Sequence, residues 1–310
     1  MSDFPEVFDS SMLATFKSCP QLFKKNTIDG WKSKDPSVHL RAGGAFAHGV
    51  EAARTAFYVT GETQEDSYAY GLKALLEHYG DFECPADSAK SAERTAGALE
   101  FYFAHYPLTH GDQDPITLPS GKRGIEFNFV HPLPIQHPVT GNPLLYCGRM
   151  DAILNYAGGI FICDEKTATS LGATWSRQWD LRSQFSGYAW GCREAGIRVD
   201  GVIVRGVSIL KTKYDTQEAI SYRPQWQVDR WYSEMLAWVQ EIKTCWVNGI
   251  AGGTHEGGVW RHNLDHSCAD FGGCGYRQVC STRPEEGQSW LETYFVRKHW
   301  DPLTRTETLL

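Results

Sequence analysis

Gly148 to Lys166, GRMDAILNYAGGIFICDEK, is the stretch from which the fold can be read. Ile153 and Leu154 close one apolar run, Gly158 and Gly159 punctuate it, and Ile160, Phe161 and Ile162 open another, so two short strands joined by a turn are predicted. A tight hairpin centred near Ala157–Gly158 places Asp151 opposite Asp164, to within a residue or two. Side chains alternate along a strand, so Asp164 and Lys166 share a face while Glu165 points the other way. Two carboxylates and one ammonium then converge. Paired carboxylates repel unless a cation compensates, and Mg²⁺ takes one or two such oxygens together with water and substrate phosphate. A lysine beside that ion orients or deprotonates an attacking water and offsets charge as the phosphate expands. Phosphodiester hydrolysis suits this set; a surface salt bridge on an ordinary hairpin is the plainer alternative.

Outward from the hairpin, Ile125, Phe127 and Phe129 alternate with Glu126 and Asn128 as in a half-buried strand, and Glu126 is a further carboxylate that could face the same cleft. Pro143–Asn155 and Gly159–Thr167 continue the sheet. A helix is predicted from about Trp175 to Ala195, carrying Gln184 and Tyr188 four apart on one face. Gly201–Leu210 reads as a buried strand, Ala219–Tyr222 as an edge strand, and Gln225–Val247 as a long amphipathic helix. Upstream, Ser10 and Ser11 open a helix that Cys19-Pro20 interrupts. Residues 26–44 read as a loop, a helix follows from about Ala45 to Tyr58, and two more span 65–80 and 88–106. The order β-β-β-α-β behind a set of helices makes the chain α/β, one mixed sheet flanked by helices.

These residues resemble the signature of the PD-(D/E)xK nuclease superfamily: Gly148-Arg149-Met150-Asp151, then Asp164-Glu165-Lys166. Gln184 with Tyr188 is similar to the Q-x-x-x-Y element of its RecB-like branch, and His48 in GGAFAHGVE resembles that branch's upstream histidine. One early and three late cysteines resemble its iron–sulfur members, which include CRISPR-associated exonucleases; the likeness covers roughly residues 10 to 285. It implies a restriction-endonuclease-like core over 115–248 within a single domain of residues 1–310. An added N-terminal helical layer would occupy 1–110, a cysteine-rich metal loop 260–285 and a tail 286–310.

It also implies a metal-dependent DNA nuclease, an exonuclease on single-stranded or end-processed DNA in repair, recombination or phage DNA metabolism. Asp151 and Asp164 would ligate Mg²⁺ or Mn²⁺, joined by His48 and the Glu165 backbone carbonyl. Lys166 would position or activate water, and Gln184 and Tyr188 would organise the substrate. Cys19, Cys268, Cys274 and Cys280 would hold a 4Fe–4S cluster, although both late gaps are wider than the family's usual first one; structural zinc, with His262 and His266 as possible ligands, is the alternative. Partners would be DNA and repair, recombination or CRISPR-type proteins. The competing reading is an inactive DNA-binding scaffold that keeps the fold.

Composition sets limits on all of this. With 310 residues and 42% hydrophobic content a core is assured, and no run reaches transmembrane length. The N-terminus MSDFPEVFDSS lacks a signal-peptide core, and nine cysteines, an odd number, favour metal ligation or free thiols over a disulfide framework; a cytoplasmic, non-membrane protein is expected. A net charge of −7 is unusual for a DNA-binding chain, yet binding depends on local patches such as Lys24–Lys25, Lys32–Lys34, Arg177–Arg182 and Lys211–Lys213.

Overall fold

The computed structural model describes residues 4–34, 37–251, 259–264, 266–269 and 273–305. In chain order the elements begin with β1 (Val7–Phe8), α1 (Ser10–Ser18), α2 (Pro20–Phe23), β2 (Trp31–Ser33), α3 (Val38–Thr55), α4 (Gln64–Tyr79) and α5 (Ala92–His105). Next come β3 (Ile125–Gln136), β4 (Pro143–Tyr156), β5 (Gly159–Ala168), α6 (Ala173–Arg177), α7 (Ser183–Glu194), β6 (Gly201–Ile209) and β7 (Tyr214–Tyr222). The chain continues through α8 (Gln225–Ala251), α9 (Arg277–Ser281), α10 (Pro284–Tyr294) and β8 (Phe295–Arg297). The strand order is β1-β4-β5-β6-β7 with β3 also on β4; β1–β4 and β5–β6 are parallel, whereas β4–β5 and β6–β7 are antiparallel. The result is the mixed, helix-flanked sheet of a restriction-endonuclease-like fold.

Contacts divide the chain into two compact units. The larger takes residues 36–129 and 149–228. There β5 and β6 lie side by side in parallel, and every residue of β6 is buried, as expected of a strand covered on both faces. Helices α3, α4 and α5 pack against one another around Ala45, Phe46, Val50, Leu75, Leu99 and Tyr102. Small residues allow that closeness: a Cβ at Gly71 would stand 2.6 Å from the Gly49 carbonyl oxygen.

The smaller unit takes residues 1–35, 130–148 and 229–307. The α1–α2 break at Cys19-Pro20 seats Phe16 and Phe23 edge-on at 5.6 Å, and Trp260 stacks on Phe23 at 6.0 Å. The tail folds back here: β8 pairs antiparallel with β2, and Tyr276, Val279, Leu291 and Phe295 bury Trp31.

Three sequence expectations are corrected. Helix α3 begins at Val38, not near Ala45, because Ser37 caps it by accepting from the Leu40 N–H, and Gly43 and Gly44 lie within it. The helix expected over 175–195 is two helices. Arg223 donates to the Trp179 carbonyl at 2.7 Å, and the residues 178–181 form a turn. The edge strand β7 is also longer than 219–222, pairing with β6 along its whole length.

Candidate active site

Hairpin β4–β5 closes through Ala157 and Gly158, both at positive φ (46° and 83°), the two-residue loop whose twist matches that of its strands. This loop fixes the register Tyr156↔Gly159 through Ala152↔Cys163, and Asp151 and Asp164, the next residues along, lie within electrostatic reach of one another. Asp151 is tied down further, its Oδ2 accepting from the Glu165 backbone N–H at 2.9 Å. The Asp164 carboxylate is buried and ion-paired with the Lys166 ammonium, which is a third exposed.

Alternation sends Glu165 to the opposite side. Its carboxylate receives two hydrogen bonds from Arg54 of α3, at 2.6 and 3.1 Å, and one from the Tyr102 hydroxyl of α5 at 2.9 Å. Arg54 and Glu165 side chains are both 1% exposed. Burial alone would raise the Glu165 pKa, but the Arg54 charge overrides it and brings the carboxyl down to about 2.

The two site acids behave in the opposite way. Burial, then the Asp164 and Glu165 charges, push Asp151 well above the usual carboxylate range. Burial likewise raises Asp164, although Lys166 opposes the shift. Desolvation works against the Lys166 ammonium, yet Asp164 and Asp151 beside it hold its pKa above the ordinary lysine value. Arg182, the residue before α7, also lowers the Asp164 pKa and so lies within electrostatic reach of the acids.

A second chain of charges adjoins this set. Arg149 of β4 binds Glu126 of β3 and, at 3.0 Å, Glu51 of α3; Glu51 faces His48 Nδ1 at 3.5 Å. His48 also lies against His78, ring centroids 4.3 Å apart. Glu126 has a left-handed backbone (φ 50°), uncommon for a residue with a Cβ, and burial together with the Glu51 charge pushes its carboxyl up to about 7. Gln184 and Tyr188 of α7 bond to each other, Nε2 donating to the hydroxyl at 2.8 Å.

The structure therefore brings Asp151, Asp164 and Lys166 together, and separately joins His48 to Glu51 and Gln184 to Tyr188. Among the described residues no three His, Cys, Asp or Glu side chains form a metal-holding group, so His48 does not complete a ligand set with the acids in this arrangement. The donor chemistry nevertheless fits a hard divalent ion. A buried and a half-buried carboxylate side by side, each pushed toward protonation, gain most from a neighbouring cation. Sequence reading missed Arg54 and Arg149. Both are basic residues facing carboxylates of other elements, and the only local signal is the His48, Glu51, Arg54 spacing of three on one helix.

Over residues 10–281 the chain matches the model of the PD-(D/E)XK nuclease superfamily. The chain belongs to that superfamily. Its members generally use divalent metals, in keeping with the paired acids. Among solved structures, a Eubacterium rectale protein named for an inferred exonuclease activity is similar over 98% of this chain and 94% of its own (13% identity, TM-score 0.48). SSO0001 is similar over 76% and 78% (12% identity, TM-score 0.30). No curated protein sequence matches the chain.

All nine cysteines are free thiols, and in the smaller unit four of them, Cys19, Cys268, Cys274 and Cys280, line one cavity of about 140 Å³ with His262 and Lys25. Cys19 Sγ accepts from the Asn263 N–H at 3.5 Å, and Cys268 Sγ donates to the Asn263 carbonyl at 3.7 Å. Burial raises the pKa of Cys274 and Cys280, and their neighbouring thiols add to both shifts. Residues 265 and 270–272 of the late cysteine loop lie outside the described residues. No described helix is long and apolar enough to cross a membrane.

Proposed function

We propose that this chain is a metal-dependent DNA nuclease of the RecB-like branch, hydrolysing phosphodiester bonds at the ends of single-stranded or processed DNA. The observation that carries the reading is the pairing of a buried carboxylate, Asp164, with a half-buried one, Asp151, on facing strands, with a lysine ammonium on the Asp164 side. Such a set is costly to keep in the absence of a cation.

Asp151 and Asp164 would hold Mg²⁺ or Mn²⁺, with the Glu165 carbonyl as a further oxygen ligand; His48 would join after turning from Glu51. A bound divalent ion polarises the phosphoryl oxygens and offsets the charge that develops on them. Lys166 orients the attacking water by hydrogen bonding; once the acids are neutralised, less charge holds its own proton in place. Water oxygen forms the new P–O bond as the P–O bond to the sugar breaks; the water gives up its proton to solvent, and the departing sugar oxygen takes one up from solvent. Arg182 and the Gln184–Tyr188 pair would position the strand's phosphates. A setting in repair, recombination or phage DNA metabolism, with CRISPR-type proteins as possible partners, follows the branch.

The four thiols are proposed to bind an iron–sulfur cluster, with zinc as the alternative; their shared cavity supports this, although the sulfurs must draw closer to act as a ligand set. Visible absorption and metal analysis of anaerobically purified protein decide between iron, zinc and neither.

The test of the main reading is degradation of linear and circular, single- and double-stranded DNA with Mg²⁺, Mn²⁺ or EDTA. Wild-type protein should degrade linear DNA only with metal and spare circles, and Asp151→Ala and Lys166→Ala should be inactive. Metal-dependent cutting of circles would replace exonuclease with endonuclease. Binding without cleavage under every metal would make the chain a scaffold.

A further inference from the structure

A cavity of about 470 Å³ in the smaller unit is lined by Trp31, Trp246 and Trp260, by Lys24, Lys25 and Arg297, and by Gln21. That volume lies within the range of sites that enclose a small organic ligand. The Gln21 side chain is buried (8% exposed), and its Oε1 has no hydrogen-bond partner among the described residues. An amide oxygen left in this way costs free energy, and because almost none of its surface is open, a ligand donor meets it only when a neighbouring side chain gives way. The indoles provide flat apolar walls; Trp260 is already stacked on Phe23, and the Arg297 guanidinium lies 4.6 Å from the Trp31 ring centroid. Lys24 is paired with Asp29 at 2.7 Å, and Lys25 lines both this cavity and the thiol cavity.

Aromatic walls, a buried acceptor and a cationic rim match three parts of one molecule: a planar base, its exocyclic N–H and its phosphate. We propose that this cavity binds one unpaired nucleotide, either a base of a single strand or a free mononucleotide. The inference rests on nucleic acid being the protein's substrate and adds a contact point in a different unit from the paired acids.

The test is binding in EDTA, where no cleavage occurs. Anisotropy of a dye-labelled single-stranded oligonucleotide and calorimetry with dAMP and dTMP are measured on the full chain for wild type, Gln21→Leu and Arg297→Ala. Loss of the amide should weaken binding about tenfold, the scale of one buried hydrogen bond. Loss of Arg297, which is exposed, should weaken it several-fold and flatten its salt dependence. Weakening for the oligonucleotide alone assigns the cavity to a strand, and weakening for mononucleotides assigns it to free nucleotide; either supports the proposal. Variants that bind like wild type overturn it, as does wild type that binds neither probe. A wild type that cleaves DNA while the variants bind normally sinks the cavity and leaves the nuclease reading standing. If Gln21→Leu does not fold, Arg297→Ala carries the same comparison.

Discussion

Arg54 and Glu165 meet 111 residues apart in sequence, in a two-pronged ion pair sealed from solvent directly behind the strand that carries Asp164 and Lys166. Through it α3 grips the middle residue of Asp164-Glu165-Lys166. The two flanking side chains are left free to face the acid opposite.

Removing one partner of that pair should be severe. Arg54→Ala leaves Glu165 charged and buried, and chemical denaturation should record a loss of about 3–5 kcal/mol. The double variant Arg54→Met/Glu165→Met should regain most of it. A single variant as stable as wild type would show that the pair is dispensable.

The same carboxylate predicts acid behaviour. Its folded pKa, about 2, lies below the unfolded value near 4.5, so its contribution is complete above 4.5 and disappears as pH falls from there toward 2. Glu165→Gln should be less stable than wild type at neutral pH, with the gap closing through that window. Urea midpoints measured across the range check it.

For Asp151 the sign reverses. Its pKa is raised, so the folded state holds this proton more tightly and the metal-free protein is penalised once pH exceeds the unfolded carboxylate value. Asp151→Asn should therefore raise the metal-free Tm by about 2–4 °C at neutral pH, the change expected of roughly 1 kcal/mol, and the advantage should vanish in acid. Wild type, in contrast, should gain Tm from Mn²⁺, and gain more as pH rises and the acids release their protons. Asp151→Asn should lose that response. A variant that keeps it would remove Asp151 from the metal site.

Tyr188→Phe deletes the acceptor for Gln184 Nε2 and keeps the ring. Turnover should fall by on the order of tenfold to a hundredfold while the circular-dichroism spectrum and Tm stay close to wild type, the pattern of an orienting contact. An unchanged kcat would make the pair purely structural.

Much of the hairpin was legible in advance, because its information is local. The glycines around Ala157, the period of two and the apolar runs determine which side chains share a face. Glu165 could be read as facing away; its partner could not, since nothing near residue 54 announces a strand residue more than a hundred positions later. The start of α3 was hidden by Gly43 and Gly44, which read as loop residues but here let α3 approach its neighbours, a Cβ at Gly44 meeting His78 at 2.8 Å. At the split between α6 and α7 the Trp179 carbonyl accepts from Arg223, another residue distant in sequence. Backbone strain at Glu126 left no trace in composition.

The two-residue loop at Ala157–Gly158 also acts as a ruler for the chemistry. One inserted residue there, with the flanking pairs sliding to accommodate it, would bring Glu165 opposite Asp151 in place of Asp164 and turn Arg54's anchor toward the cleft. Spacing in this small loop is thus as much a determinant of the reaction as the identity of any acid, and a length variant should lose activity with every candidate catalytic residue still present.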